Sequence, residues 1–443
     1  MTSSAGPARR PAWHLLVPLG ALELGLLAAL GWWPGSAFPW PALLLFGGAF
    51  AAYGVTAGGL GRTTGGLVVI WVLAIAMRLA LLPLAPVLSD DVYRYLWDGH
   101  VQLSGVNPYL HAPAADELLE LRTPYHGLIN NPTVQTIYPP LAQMAFFVIA
   151  LLGGTLLRAK LLWLAFDLAT AWVLGKVARA TGRDPRLTQL LYLWSPLLIV
   201  EVAWSGHLET LGLFPLALVI LLARRPLGGG AALALAALTK FAPAVALPAL
   251  TRRHGWKLAG AFLAVSVGLY LPYWGAGAAL FAGLRTYGEN WWFMKGPFVV
   301  LEALFGDPLV ARRAAAGIVL CVVAWTTVRR YSTERALLWV LGSGMVLTPT
   351  FHPWYVLWML PMAALGASRP WIVLTGLSFI GYFGLGTYQE IGDWPQPVLA
   401  RGAMWIPFLF LLARDAVRLV RQPLEPDQPT RDAEPSEQRA DSG

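Results

Sequence analysis

Ser89-Asp-Asp-Val-Tyr-Arg-Tyr-Leu-Trp-Asp-Gly-His-Val-Gln-Leu-Ser-Gly-Val-Asn-Pro-Tyr109 follows directly on an apolar run at 66–84. The change of character between these two stretches decides the fold. The apolar run is long enough to cross a bilayer, which takes about 20 residues. The polar island then places Asp90, Asp91 and Arg94 where the chain leaves hydrocarbon, with Trp97 and Asp98 just beyond. Charges this close to lipid are costly and mark function more often than not. The remainder of the chain repeats the first half of this pattern. Of 443 residues, 57% are hydrophobic and only 13% charged, against about 25% charged in soluble domains. The mean hydropathy is +0.57. These values predict an all-α polytopic membrane protein. The net charge of +8 reads as basic cytoplasmic loops, and nucleic acid is not an expected partner. Cys321 is the single cysteine, so no internal disulfide forms. Arg9 and Arg10 precede a long apolar run without a small-residue cleavage site, so the first span is expected to act as the insertion signal.

Apolar runs fall near 14–32, 40–57, 66–84, 161–177, 187–204, 208–223, 228–250, 256–275, 309–328, 334–350, 353–367, 370–388 and 399–415. A further run at 138–156 is ambiguous. If it crossed the membrane, Lys176, Arg179, Arg183 and Arg186 would lie outside, against the positive-inside trend. A segment that dips in and returns keeps them inside. The rest follows if 228–250 is a hairpin of two short helices broken around Lys240-Phe-Ala-Pro243, since proline ends a helix. The result is about 13–14 membrane passes with both termini cytoplasmic. Inside then lie Arg9, Arg62, Arg224, Arg225, Arg252, Arg253, Arg329, Arg330 and Arg335, among others. Residues 1–421 form one transmembrane domain, and the Pro- and Glu-rich 422–443 should be a disordered cytoplasmic tail. Five polar segments converge outside: the long first loop 85–137, Trp204–Glu209, the loop around Glu289–Lys295, Phe351–Tyr355 and Tyr388–Glu390.

Each motif carries a plain reading beside a chemical one. Asp90 fits the N-cap of a helix starting at Asp91; either carboxylate also fits a general base for a hydroxyl. Arg94 sits one helical turn from Asp91, where it pairs with that aspartate or binds a phosphate, which guanidinium suits. Gly105-Val-Asn-Pro-Tyr109 is a turn signal, and Tyr138-Pro-Pro140 starts a helix. Arg158 and Lys160 fall outside against the charge trend, so they either snorkel to headgroups or hold an anion. His207 and Glu209 close a helix–helix turn. Trp291, Trp292 and Lys295 fit an interfacial belt as well as a binding site, and His352 gains interest from its company in Phe351-His-Pro-Trp-Tyr355. No spacing of His, Cys or Asp calls for a metal, and no P-loop or dinucleotide fingerprint is present.

Taken together these motifs resemble the GT-C superfamily of polytopic glycosyltransferases, and within it the bacterial polyprenyl-phosphate-mannose-dependent mannosyltransferases. The likeness rests on Ser89–Gly99, Gly105–Tyr109, Tyr138-Pro-Pro-Leu141, Trp204-Ser-Gly-His-Leu-Glu209, Leu238–Pro243 and His352-Pro-Trp-Tyr355, in order along the chain. It implies a site on the outer face of the bacterial plasma membrane, in the first long loop, which would carry short helices. It implies an inverting transfer of a sugar, mannose by resemblance, from a polyprenyl-phosphate donor to a glycolipid or polysaccharide acceptor. Asp91 would be the base, with Asp90 orienting it. Arg94, Arg158, Lys160, Lys295 and His352 would face the donor phosphate. Trp97, Asp98, Asn107, Tyr109, His207, Glu209, Trp291 and Trp292 would form the acceptor and sugar side. No cofactor is implied. One departure stands out: three spans precede the loop where many relatives have one. The competing reading is a lipid or lipid-sugar transporter without chemistry, which would show an internal repeat and polar residues at the midplane; neither is visible.

Overall fold

The computed structural model describes residues 10–32, 40–61, 63–366 and 368–421. The expected tail 422–443 lies outside the described residues, as do Arg9 and Arg62. The protein is an all-α polytopic membrane protein. Apart from a two-residue parallel pairing of Arg10–Pro11 with Thr63–Thr64, the described elements are helical.

Helices α1 (Trp13–Gly31) and α2 (Trp40–Leu60) form a hairpin that packs on α3 (Leu67–Leu81). The chain then enters α4 (Asp91–Leu103), two short 3-10 turns, and α5 (Pro140–Leu151). At 12 residues, α5 is about 18 Å long, well short of the roughly 30 Å hydrocarbon layer. It ends at Gly153 and Gly154, whose φ values of +99° and +58° reverse the chain at little steric cost. Thr155 caps α6 (Leu156–Ala180) by accepting from the Arg158 N–H at 3.3 Å.

Proline at the first helical turn opens α7 (Pro185–Leu193) and α8 (Pro196–Ile199), where its missing N–H costs nothing. The two are bent by 51°, and α8 runs into a π-helical turn at Val200–Trp204. Helix α9 (Glu209–Leu221) packs between α6 and α10 (Pro226–Ala237). The apolar run 228–250 is broken at 238–241, and its second half is a 3-10 turn followed by α11 (Leu247–His254). Beyond it come α12 (Trp256–Tyr270), α13 (Ala282–Asn290), α14 (Phe298–Phe305), α15 (Pro308–Arg329) and α16 (Thr333–Leu347). The C-terminal part holds α17 (Leu360–Ala364), α18 (Arg369–Leu377), α19 (Leu385–Ile391) and α20 (Val398–Arg421).

Among the described residues, six stretches are long and apolar enough to cross a membrane, or seven with the bent pair at 185–204. Other apolar runs read as spans from sequence, such as 66–84 and 208–223, fold as helices of 15 and 13 residues. Proline and glycine break several more into short pieces.

Deep in the bundle, Arg78 of α3 pairs with Asp167 of α6 at 2.5 Å and donates to the Leu193 carbonyl at 2.8 Å. Glu23 of α1 lies within electrostatic reach of Arg78. The N-terminal hairpin is further fixed by Tyr53, whose hydroxyl donates to the Leu191 carbonyl at 2.8 Å, and by Phe46 stacked on Phe379 at 3.9 Å.

Candidate active site

Helix α4 carries two stripes. Asp91, Arg94, Tyr95, Asp98, Gly99 and Gln102 follow helical spacing along one face, and from Tyr95 onward this stripe meets α5. Tyr95 stacks on Phe146 with 4.8 Å between rings, and Gln143 donates to Asp98 at 2.9 Å. A Cβ on Gly99 would lie 2.2 Å from the Phe146 carbonyl oxygen, so only glycine permits this approach. Trp97 and Val101 form the second stripe and close a small core with Leu118 and Ile129.

The first stripe opens at its N-terminal end into a cavity of about 1050 Å³. Asp90, Asp91, Arg94 and Asn130 stand on one side, with Lys240 at the break in the apolar run 228–250. Tyr287, Trp291, Trp292, His352, Trp354, Tyr355, Tyr382 and Tyr388 supply most of the aromatic wall. The segments are tied together across the mouth. The Phe293 N–H donates to the Pro349 carbonyl at 3.0 Å and the Phe351 N–H returns to Phe293 at 2.8 Å. Gln389 donates to the Val87 carbonyl at 3.2 Å.

Asp90 stands at the N-cap of α4, yet its side chain caps nothing. The Asn130 amide instead donates to both carboxylates, at 2.5 Å to Asp90 and 2.8 Å to Asp91. Burial and the charge of Asp91 push the Asp90 carboxyl up to about 6. Burial raises Asp91 as well, while Asn130, Lys240 and Arg94 pull it back. Arg94 does not pair with Asp91. Its Nε donates to Asp98 at 2.8 Å, and its buried Nη2 has no hydrogen-bond partner among the described residues. Lys240 pairs with the fully buried Glu209 and lies 4.8 Å from the Tyr355 ring centre.

A family model for "Alpha-(1->6)-mannopyranosyltransferase, N-terminal domain" matches residues 14–254, more than half of the chain. The chain belongs to this family. It is a GT-C-type member, as the motif resemblance anticipated. Among similar proteins is an alpha-(1->6)-mannopyranosyltransferase A of Corynebacterium glutamicum, 28% identical over 180 residues, which are 39% of this chain and 36% of that protein. Another, of the same name from Mycobacterium tuberculosis, is 25% identical over 341 residues, 66% of this chain and 64% of that protein. The chain thus spans less than two thirds of the length of either curated relative. No solved structure matches it.

The family segment supplies Asp90, Asp91, Arg94, Asn130 and Lys240, and the chain beyond 254 supplies most of the aromatic wall. Of the residues singled out from sequence, Asp90, Asp91, Arg94, His352, Trp291 and Trp292 meet in the cavity. The others lie elsewhere, for visible reasons. Trp97 is buried on the wrong stripe of α4. Asp98 holds Arg94 and Gln143. Asn107 donates to the Tyr273 carbonyl at 3.2 Å, and the Tyr109 hydroxyl donates to the Tyr138 carbonyl at 2.7 Å, so both shape the loop. Arg158 is exposed at the start of α6 and folds over Gly153. Lys160 is buried, with its amine on the Leu84 carbonyl at 2.5 Å, so it holds the chain just beyond α3. Lys295 pairs with Glu302 at 2.6 Å. Glu209 serves Lys240, and His207 sits behind Asp91.

Sequence reasoning passed over Asn130, which carries no motif of its own, and gave Lys240, as the marker of a helix break within the motif Leu238–Pro243, no role at the site. Tyr287 and Tyr355, whose hydroxyls are 2.5 Å apart, join two distant segments and leave no trace in local spacing. Among the described residues no group of three or more His, Cys, Asp or Glu is placed to hold a metal ion.

Proposed function

We propose that this protein is an inverting mannosyltransferase that uses a polyprenyl-phosphate sugar and works on the extracytoplasmic face. The acceptor is a glycolipid or polysaccharide, and the linkage is α-(1→6), as in the names of its relatives. The observation that carries the reading is the cavity itself. Two carboxylates bridged by one amide share an aromatic-lined space with a lysine and an arginine. An acceptor hydroxyl attacks the anomeric carbon while Asp91 takes its proton. The bond from that carbon to the phosphate oxygen breaks, and the lipid phosphate leaves with the electron pair. Lys240 and the unpartnered Nη2 of Arg94 answer the charge that develops there, the kind of fixed electrostatics that lowers such barriers most. The aromatic side chains offer faces to the sugar. An α-linked product from an inverting step requires a β-linked donor.

The basic residues support the sidedness. With 138–156 dipping and returning, the Lys176–Arg186 cluster falls inside, and the short α5 supports that path. Residues 85–137 then form the extracytoplasmic loop, and both ends of the 1–421 domain face the cytoplasm.

The deciding experiment is transfer of radiolabelled mannose from polyprenyl-phosphate-mannose to membrane lipids, with wild type and Asp91→Asn at matched expression. Label moving only with wild type supports the reading. Equal transfer by both removes Asp91 as the base. No transfer by wild type removes the donor, and a panel of other lipid-linked sugars follows. A transporter without chemistry would move no label in either case.

A further inference from the structure

His207 was expected from sequence at the acceptor, but it does not line the cavity. It is buried directly behind the carboxylate. Its Nδ1 is 3.8 Å from Asp91 Oδ2, and its Nε2 is 3.5 Å from Glu201 Oε2. Neither His207 Nε2 nor Glu201 Oε2 has a hydrogen-bond partner among the described residues. Buried polar atoms left this way are rare and call for an explanation. Separations of this size are long for hydrogen bonds, yet contacts in catalytic sites commonly tighten when substrate binds.

The backbone builds this arrangement on purpose-made geometry. Glu201 lies in the π-helical turn Val200–Trp204, a form that often marks functional sites. Gly206, with φ +76°, turns the chain back so that the His207 N–H donates to the Glu201 carbonyl at 2.8 Å. The imidazole stacks on Trp354 at 3.9 Å, which fixes the ring plane. On the far side, the Tyr382 hydroxyl donates to Glu201 Oε1 at 2.6 Å.

We infer that His207 and Glu201 are positioning residues for Asp91: Glu201 engages Nε2, so that an Nδ1–H points at Asp91 Oδ2 and holds the ionised base. The inference rests on the reading of Asp91 as base. The protonation of Glu201 sets the tautomer of the ring. If Glu201 carries a proton, it donates to Nε2 and the neutral ring keeps its proton on Nδ1. If Glu201 is ionised and the ring neutral, the ring proton sits on Nε2 and Nδ1 accepts from the Tyr95 hydroxyl at 3.5 Å instead, so the positioning of Asp91 requires the proton on Glu201. With the proton on Glu201 the Nδ1–H faces Asp91, whose other oxygen accepts from Asn130. Fixing a histidine tautomer through its second nitrogen is a common device.

Other charged and polar groups face this string. Asp90, Arg94 and Lys240 act on Asp91. Glu209, Lys240, His352 and Tyr95 surround His207, with Glu209 Oε2 4.0 Å and the Tyr95 hydroxyl 3.5 Å from Nδ1. Ser205 faces Glu201 beside Tyr382. The test therefore compares variants that leave all of these in place.

The experiment is an infrared titration of the Asp91 carboxylic C=O band in the full-length protein in lipid nanodiscs, assigned with Asp91→Asn. His207→Phe keeps the stacking on Trp354 but removes the N–H. The Asp91 midpoint is expected to rise by about one pH unit. His207→Asn, whose amide can stand where Nδ1 stands, should restore it. Glu201→Leu should raise the midpoint too, while Glu201→Gln, which can still donate to Nε2, should match wild type. An unchanged midpoint in both His207→Phe and Glu201→Leu overturns the inference; if one variant fails to fold, the other decides. In transfer assays His207→Phe should lower kcat roughly tenfold or more with an unchanged KM, and a change in KM alone would argue against positioning. If Asp91→Asn keeps full transfer, the base assignment falls, while the titration still reports whether His207 holds that carboxylate.

Discussion

Asp90 and Asp91 are adjacent in sequence, yet their environments differ in ways that bear on the proposed chemistry. Both are raised by burial, and Asp90 reaches about 6 with the charge of its neighbour added. A base must be ionised to act, so transfer is expected to fall toward acid pH as Asp91, raised by burial, takes up a proton. Asn130 donates to both carboxylates and so favours their charged forms. Removing it with Asn130→Ala should raise both and move the acid limb of kcat/KM to higher pH; an unmoved limb would exclude the bridge from the chemistry. Lys240 makes a second residue-scale case. Lys240→Met should lower kcat by roughly 100-fold if the lysine answers the leaving phosphate. The same change strands Glu209 as a buried, uncompensated charge and should lower thermal stability. Lys240→Met with Glu209→Met should regain stability without activity, which separates the two roles in a melting curve and a transfer assay.

At the scale of elements, α4 does most of the placing. Its two stripes explain why Asp91 and Arg94 face the cavity while Trp97, only three residues beyond Arg94, closes a small core instead. Sequence spacing shows both stripes but not which one meets α5. That choice depends on Gly99, which lets the backbone of α4 approach Phe146. Gly99→Ala is expected to cost about 1–3 kcal/mol through overpacking, read as a lower melting temperature. It should also reduce transfer by tilting Asp91 away from Lys240. A melting temperature equal to wild type would show that the helices slide apart freely. The break at 238–241 was legible, because Pro243 and Lys240 stand within an apolar run. That the break delivers a lysine to the cavity was not legible, since nothing local to it records the distant Glu209 or Tyr355.

At the scale of the whole molecule, the hairpin α1–α2 is joined to the bundle by more than apolar contact. Arg78 binds Asp167 and the Leu193 carbonyl with Glu23 of α1 nearby, all fully buried. Breaking such a cluster leaves a charge without a partner. Arg78→Ala is expected to cost about 3–5 kcal/mol, visible as early melting and low yield of the detergent-solubilised protein, with no specific change in KM. Normal melting would mean that this buried pair contributes little to holding α3 on α6.

Composition and hydrophobic runs determined, without any structure, that the chain is a polytopic helical membrane protein, because lipid leaves the backbone few other ways to satisfy its hydrogen bonds. Local motifs determined the family resemblance and the two aspartates. Tertiary structure alone decided which cations face the cavity. Lys160, Lys295 and Arg158 looked as eligible as Lys240, but a cation serves whichever partner it can reach. For Lys160 that partner is the Leu84 carbonyl, for Lys295 it is Glu302, and for Lys240, at the cavity wall, it is the buried Glu209 behind it. Reach is a property of packed helices, and no spacing along the chain encodes it.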